Sequence, residues 1–213
     1  MTIAISHQKG GVGKSTIAWN LATALQDKYN VELVDLDIQK TLTYTNEIRS
    51  NHTDLKPLTI KSFSTPEDFK KYINGDSDER LSIIDIGGFD SSMNRLAIIT
   101  ADLVITPVSD RSFELLGIKS FEKVLKELSD LIDEDIVVRV LLNNINPKKS
   151  KLGDVKTFIE KSKHFSLLDT ILRARADFDK SAGLGMNVIE YNKDGKASKE
   201  GKDLVKEIIK ILY

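Results

Sequence analysis

The sequence predicts a single α/β domain with a mostly parallel, twisted sheet and helices on both faces. Three observations carry that expectation. Short β-branched runs alternate along the chain with stretches of helical period, the mark of βαβ units rather than hairpins. The first of these runs leads directly into a glycine-rich loop and then a helix. The 213 residues hold no repeat, low-complexity tract or linker, which fits one domain over residues 1–213.

Taken in order, residues 2–6 read as the first strand. Residues 15–28 read as a helix with Ile17, Leu21, Ala24 and Leu25 toward the core. Residues 31–36 form a second buried strand and 58–63 a third. Thr65 looks like a helix cap, with Pro66 at the first helical position and Glu67 and Asp68 in the first turn. Strands follow at 81–86 and 103–106, the latter ended by Pro107. Residues 112–131 have helical spacing through Phe113, Leu116, Phe121, Val124, Leu125 and Leu128, and 136–142 are an apolar strand with Asn143 at its end. The pattern then weakens. A basic turn over 146–151 precedes a helix to Lys163, a short strand near 167–168 and a helix around 177–182. Residues 188–191 read as an edge strand and 200–212 as a closing helix.

The absence of cysteine removes disulfides, thiolate zinc sites, iron–sulfur clusters and cysteine nucleophiles together. No apolar run approaches the roughly 20 residues that span a bilayer, and the first residues lack the basic start and apolar core of a signal peptide. A cytoplasmic protein is expected. The net charge of -1 hides an asymmetry: 16 Lys/Arg against 22 Asp/Glu in residues 1–139, but 15 against 10 in residues 140–213. The basic last third can face a polyanion.

The loop Lys9-Gly10-Gly11-Val12-Gly13-Lys14-Ser15-Thr16 is a phosphate cradle. Its glycines let backbone N–H groups turn inward, and the helix start adds roughly half a positive charge. Lys14 reaches the β- and γ-phosphates in such a loop, and the Ser15 hydroxyl ligates Mg²⁺. Gln8 stands where the standard pattern has its first glycine. Asp85 ends an apolar strand in the Walker B manner, placing it to support the metal through water, and Gly88 occupies the switch position that senses a γ-phosphate. Asp35 and Asp37, two apart after the second strand, fall on one side of an extended chain.

K-G-G-x-G-K-[ST] resembles the deviant Walker-A loop of ParA/MinD-superfamily P-loop NTPases at every defined position. Further stretches resemble small plasmid-type ParA proteins: Asp85-Ile-Gly-Gly-Phe-Asp90, Ala101 to Val108, Arg111-Ser112-Phe113, and Leu172 to Val188. The resemblance implies ATP and Mg²⁺ as cofactors and a homodimer in which Lys9 reaches the partner's nucleotide. It implies that Asp37 orients the attacking water, that Asp35 supports the metal shell through water, and that Asn143 reads adenine. Ile38 replaces the family's usual proline after the second acid. No arginine finger is evident in the chain itself. Such a finger is worth about 10³–10⁵ in rate, so slow basal hydrolysis is expected. Asp90 and Arg111 read as a helix cap and a surface salt bridge rather than as chemistry.

A ParA-type reading further implies non-specific DNA binding and a ParB-type centromere-binding protein that stimulates hydrolysis, with the protein on the nucleoid. With the loop beginning at residue 9, no helix-turn-helix is expected before it. DNA contacts are therefore expected from Lys148, Lys149, Lys151, Lys193, Lys196, Lys199, Lys202 and Lys206, with Arg173 and Arg175 beside them. Two other readings stay open: a MinD-like membrane-associated or cargo-positioning ATPase, and a P-loop small-molecule synthetase or kinase. The closing helix, with Lys202, Lys206 and Lys210 among Leu204, Val205, Ile208 and Leu212, suits core packing better than a membrane.

Overall fold

A computed structural model describes every residue except 53, 76–78, 89, 110–113 and 149–152, and only the backbone at 114, 153 and 154. Its strands are β1 (Thr2–Ile5), β2 (Asn30–Asp35), β3 (Thr59–Lys61), β4 (Arg80–Asp85), β5 (Leu103–Val108), β6 (Val138–Ile145) and β7 (Phe165–Arg173). Its helices are α1 (Lys14–Leu25), α2 (Thr41–Ser50), α3 (Pro66–Asn74), α4 (Ser92–Thr100), α5 (Glu114–Ile132), α6 (Gly153–Lys161), α7 (Ala176–Ala182), α8 (Val188–Tyr191) and α9 (Lys196–Leu212). The sheet order is β3-β2-β4-β1-β5-β6-β7. Each pairing is parallel, so the sheet is parallel throughout rather than mostly so.

The alternation of the strands divides the core into two layers. On one face Ile3, Ile5, Leu33, Ile83 and Ile105 pack against Ile17, Trp19 and Leu21 of α1, Leu42 of α2, and Leu204 and Ile208 of α9. On the other, Ala4, Val34, Ile84 and Val104 meet Phe69 of α3, Ile98 of α4, Phe121 and Leu125 of α5, and Ile159 of α6. Each large side chain so buried contributes about 1.5–3 kcal/mol. In the central strands the register sets Ile5 beside Asp85 and Asp85 beside Asp35. The loops after β1, β2 and β4 therefore rise from one level edge, where open α/β sheets hold their ligands.

Several elements differ from the sequence expectation. Residues 188–191 are helix α8, not an edge strand. Asn187 accepts from the Ile189 and Glu190 amides while the Glu190 carboxylate takes the Asn187 amide at 2.8 Å, a capping box that four residues cannot override. Helices α2 and α4 carry apolar periods too weak to mark them in the sequence; α2 buries only Leu42, Thr45 and Arg49. Strand β5 runs through Pro107, which pairs in register with Leu141 and gives up only its own donor. Strand β7 spans 9 residues instead of a short stretch. Its outer amides are taken by α9: Glu207 accepts from Asp169 and Thr170, and Glu200 from Arg173. That closes a sheet edge which would otherwise be open to another chain.

Candidate nucleotide-binding site

The loop between β1 and α1 turns on glycines that need positive φ, Gly11 at 72° and Gly13 at 97°. Gly13 is the N-cap of α1, which has no side-chain cap and no acid in its first turn. The first amides of α1 are thus left to a ligand, and the helix dipole favours an anion there. They open on a cavity of about 610 Å³ whose lining includes Gly10, Lys14, Ser15, Thr16, Asp37 and Gly88. A methyl on Gly88 would come within 3.1 Å of the Gly10 amide nitrogen, so the segment after β4 lies directly on the phosphate loop.

Lys14 is buried, and its ammonium donates to the Lys9 carbonyl at 3.3 Å. Burial lowers its pKa, while the nearby carboxylates of Asp85 and Asp37 hold it up. Asp85 is fully buried, and neither of its carboxylate oxygens closes a hydrogen bond of ordinary geometry among the described residues. Desolvation pushes its pKa up to about 7; the Ser15 hydroxyl and Lys14 pull against that rise, and Asp35 and Asp37 add to it. A buried carboxylate whose oxygens close no well-formed hydrogen bond among the described residues, next to a serine hydroxyl and open phosphate-binding amides, fits a hydrated Mg²⁺ held jointly with nucleotide phosphates. No group of three acid, histidine or cysteine side chains could hold a metal by itself among the described residues.

Asp35 is also buried, but its oxygens are engaged. Oδ1 accepts the Asp37 amide at 3.2 Å and Oδ2 accepts the Thr43 hydroxyl at 3.2 Å. Burial pushes its pKa up; Lys40 first, then the hydrogen bonds from Asp37 and Thr43, pull it back. Asp37 is half-buried on the cavity wall, with Oδ1 accepting the Gln39 amide at 2.9 Å. Lys9 begins the loop and donates its amide to His7 Nδ1 at 2.9 Å. Helix α5 crosses here: a methyl on Gly117 would lie 2.9 Å from His7 Cε1 and 3.8 Å from Lys9 Cβ.

Asn143 donates from Nδ2 to the Val12 carbonyl at 2.8 Å and so braces the loop. It also borders a second cavity of about 190 Å³, continuous in its lining with Gly11 and Thr16 and walled by Arg173, Arg175 and Phe178. No local motif marks Phe178 or Arg175 as a neighbour of the nucleotide loop, since strand β7 brings them there from far along the chain. Arg175 is held by Glu200 at 2.8 Å, which binds this rim to α9.

Of the expected DNA-contacting residues, Lys148, Lys193, Lys196, Lys199, Lys202 and Lys206 are exposed or half-exposed. Lys199, Lys202 and Lys206 follow one face of α9 at helical spacing, and Lys202 reaches the Lys193 carbonyl at 2.9 Å. Glu200 and Glu207 point the other way, into β7. Lys149, Lys151 and Arg111 lie outside the described residues. Asp90 forms a bidentate pair with Arg95 at 2.8 and 2.6 Å, and the cap of α4 is Ser91. The apolar side of α9 is spent on the core, Tyr213 stacks on Tyr29, and no described helix is long and apolar enough to cross a membrane.

The sequence profile of the CobQ/CobB/MinD/ParA nucleotide binding domain matches residues 3–204. A protein ParA from Rhizobium radiobacter is 31% identical over 150 residues, spanning 68% of this chain and 65% of that protein. The chain thus spans just under two thirds of that relative. The maintenance of carboxysome distribution protein A of Halothiobacillus neapolitanus is 24% identical over 211 residues, 98% of this chain and 96% of that one. Among solved structures, a putative plasmid partition protein of Borrelia burgdorferi bound to AMPPNP superposes with a TM-score of 0.65 at 16% identity, covering 98% of both chains.

Proposed function

The chain belongs to the CobQ/CobB/MinD/ParA nucleotide-binding family, and on that premise we propose that it is a DNA-partition ATPase. ATP binding makes a sandwich dimer that holds DNA non-specifically, and a partner of ParB type releases it by stimulating hydrolysis to ADP and phosphate. One observation carries the reading: the uncapped start of α1 faces a cavity shared by Lys14 and Asp37, with the buried Asp85 carboxylate and the Ser15 hydroxyl beside it. Those are the requirements of in-line phosphoryl transfer to water.

Each residue then has a task. The amides of residues 10–16 and the Lys14 ammonium bind the phosphates, and Asn143 borders the base. Ser15 would ligate the ion directly, Asp85 and Asp35 would support it through water, and Mg²⁺ would supply neutralisation of the phosphate charge. Asp37 orients the attacking water. Gly88, resting on Gly10, carries the presence of the γ-phosphate to the segment after β4. Lys9 serves the partner's nucleotide across the dimer.

The DNA step is supported by α9, where exposed Lys199, Lys202 and Lys206 outnumber the exposed Asp203 beside them while Glu200 and Glu207 turn into β7. Dimerisation doubles that stripe, so ATP gates DNA affinity without touching DNA. A cargo-positioning role with the same chemistry is favoured by the carboxysome-distribution relative, which matches nearly end to end. The test is a salt titration of DNA binding with ATP, with ADP and with no nucleotide, run beside anionic liposomes. ATP-dependent, salt-sensitive DNA binding is expected. Retention on liposomes alone would instead select the membrane-associated reading, and turnover without dimer or DNA binding a small-molecule enzyme.

A further inference from the structure

Between Asp37, two residues past β2, and helix α2 lies a residue outside the lining of the nucleotide cavity. Lys40 is the N-cap of α2 and sits in the left-handed region, at φ 53° and ψ 32°. An L side chain disfavours that conformation and a glycine adopts it freely. The side chain standing there is engaged at its tip. Its ammonium donates to the Asp35 carbonyl at 2.9 Å and to the Ser62 hydroxyl, just beyond β3, at 3.2 Å.

These hydrogen bonds close a ring around Asp37. The Asp35 carboxylate takes the Asp37 amide, the Asp37 carbonyl takes the Lys40 amide at 3.2 Å, and the Lys40 ammonium returns to the carbonyl of Asp35. Within the ring the Gln39 amide holds Asp37 Oδ1. The turn is therefore tied at both ends to the strand it leaves, and through Ser62 to the neighbouring strand. Exposed Ile38, at its apex, contributes no packing that would do this instead.

We propose that Lys40 is a positioning residue for hydrolysis, its ammonium fastening the turn that aims the Asp37 carboxylate into the nucleotide cavity. The proposal rests on the reading of Asp37 as the group that orients water. It separates two properties that a structural lysine would move together. Lys40→Gly relieves the left-handed backbone while removing the ammonium, so thermal stability is retained or raised as turnover falls. Misplacement of a catalytic group by about 1 Å can cost on the order of 100-fold in rate, and a loss of about 10-fold or more is expected here.

The experiment measures Mg-ATP turnover, affinity for a fluorescent ATP analogue and melting temperature for Lys40→Gly, Lys40→Arg, Asp37→Ala and the double variant Asp37→Ala/Lys40→Gly. Lys40→Gly is expected to lower kcat with ATP affinity within about twofold of wild type, and Lys40→Arg, which keeps the charge, to restore most of the rate. The double variant is expected to be no slower than Asp37→Ala alone, because both act on one carboxylate. Wild-type turnover in Lys40→Gly, a matching loss of nucleotide affinity, or additive losses in the double variant would each overturn the proposal. Wild-type turnover in Asp37→Ala would instead overturn the reading of Asp37 beneath it.

Discussion

Asp85 couples the nucleotide site to the stability of the chain. Burial raises its pKa to about 7 from the 3.8 of an exposed carboxyl, so the folded chain binds its proton more tightly than the unfolded chain does. The contribution of that proton to stability is fully present below about pH 4 and is lost as pH rises to about 7. Asp85→Asn has no such proton to lose. Its nucleotide-free melting temperature should draw ahead of wild type between pH 4 and about pH 8, read from thermal melts in matched buffers. Parallel melting curves for the two proteins would show that Asp85 is not raised. In the catalytic direction the same change should abolish most Mg-dependent turnover, because the site then lacks the carboxylate that a hydrated cation needs.

At the level of elements, two joints matter to the site without touching it. Arg49, at the end of α2, is 1% exposed; it donates to the Gly185 and Lys56 carbonyls and pairs both terminal guanidinium nitrogens with Glu190 of α8. Gly185, at φ 67°, would place a methyl 2.6 Å from Arg49 Cα. Arg49→Met leaves Glu190 mostly buried without its cation and should cost about 3 kcal/mol in urea unfolding; Gly185→Ala should cost about 2–4 kcal/mol from overpacking and backbone strain. Since α2 is capped by Lys40 and supplies Thr43 to Asp35, loosening its far end should also slow turnover. The second joint is α9. Replacing Lys199, Lys202 and Lys206 with Gln should lower the slope of log DNA affinity against log salt by about 0.9 for each phosphate that is no longer neutralised. An unchanged slope would remove α9 from the DNA surface.

For the whole molecule, the proposed function divides the work between the loop's two lysines. Lys14 lies buried between carboxylates inside one chain, whereas Lys9 stands half-exposed at the loop's mouth beside α5. Lys9→Ala should leave nucleotide binding by the monomer within a few-fold of wild type while abolishing the ATP-dependent dimer in sedimentation velocity. A dimer that persists with ATP would contradict the sandwich. Strand β1 lies at the centre of the sheet, between β4 and β5, so the phosphate loop is anchored on both sides by buried strands.

Much of this was legible in the sequence because it is local. A strand, three glycines and Lys-Ser-Thr determine the phosphate loop through backbone conformation alone, and an apolar run ending in Asp85 locates the second carboxylate. Period and caps likewise identify α1, α3 and α5. Helix α8 reads as a strand in the sequence because a run of four residues suits either state, and the Asn187–Glu190 box decides it. Helix α2 is hidden because it buries an arginine and a threonine beside one leucine. What only the tertiary structure decided is where distant residues meet. The strand register sets Asp35 level with Asp85, β7 carries Phe178 and Arg175 to the loop braced by Asn143, and β3 brings Ser62 to the Lys40 ammonium. The sequence determined the chemistry of the loop, which needs only neighbouring residues; its aim depends on strands packed side by side, and spacing along the chain does not encode that.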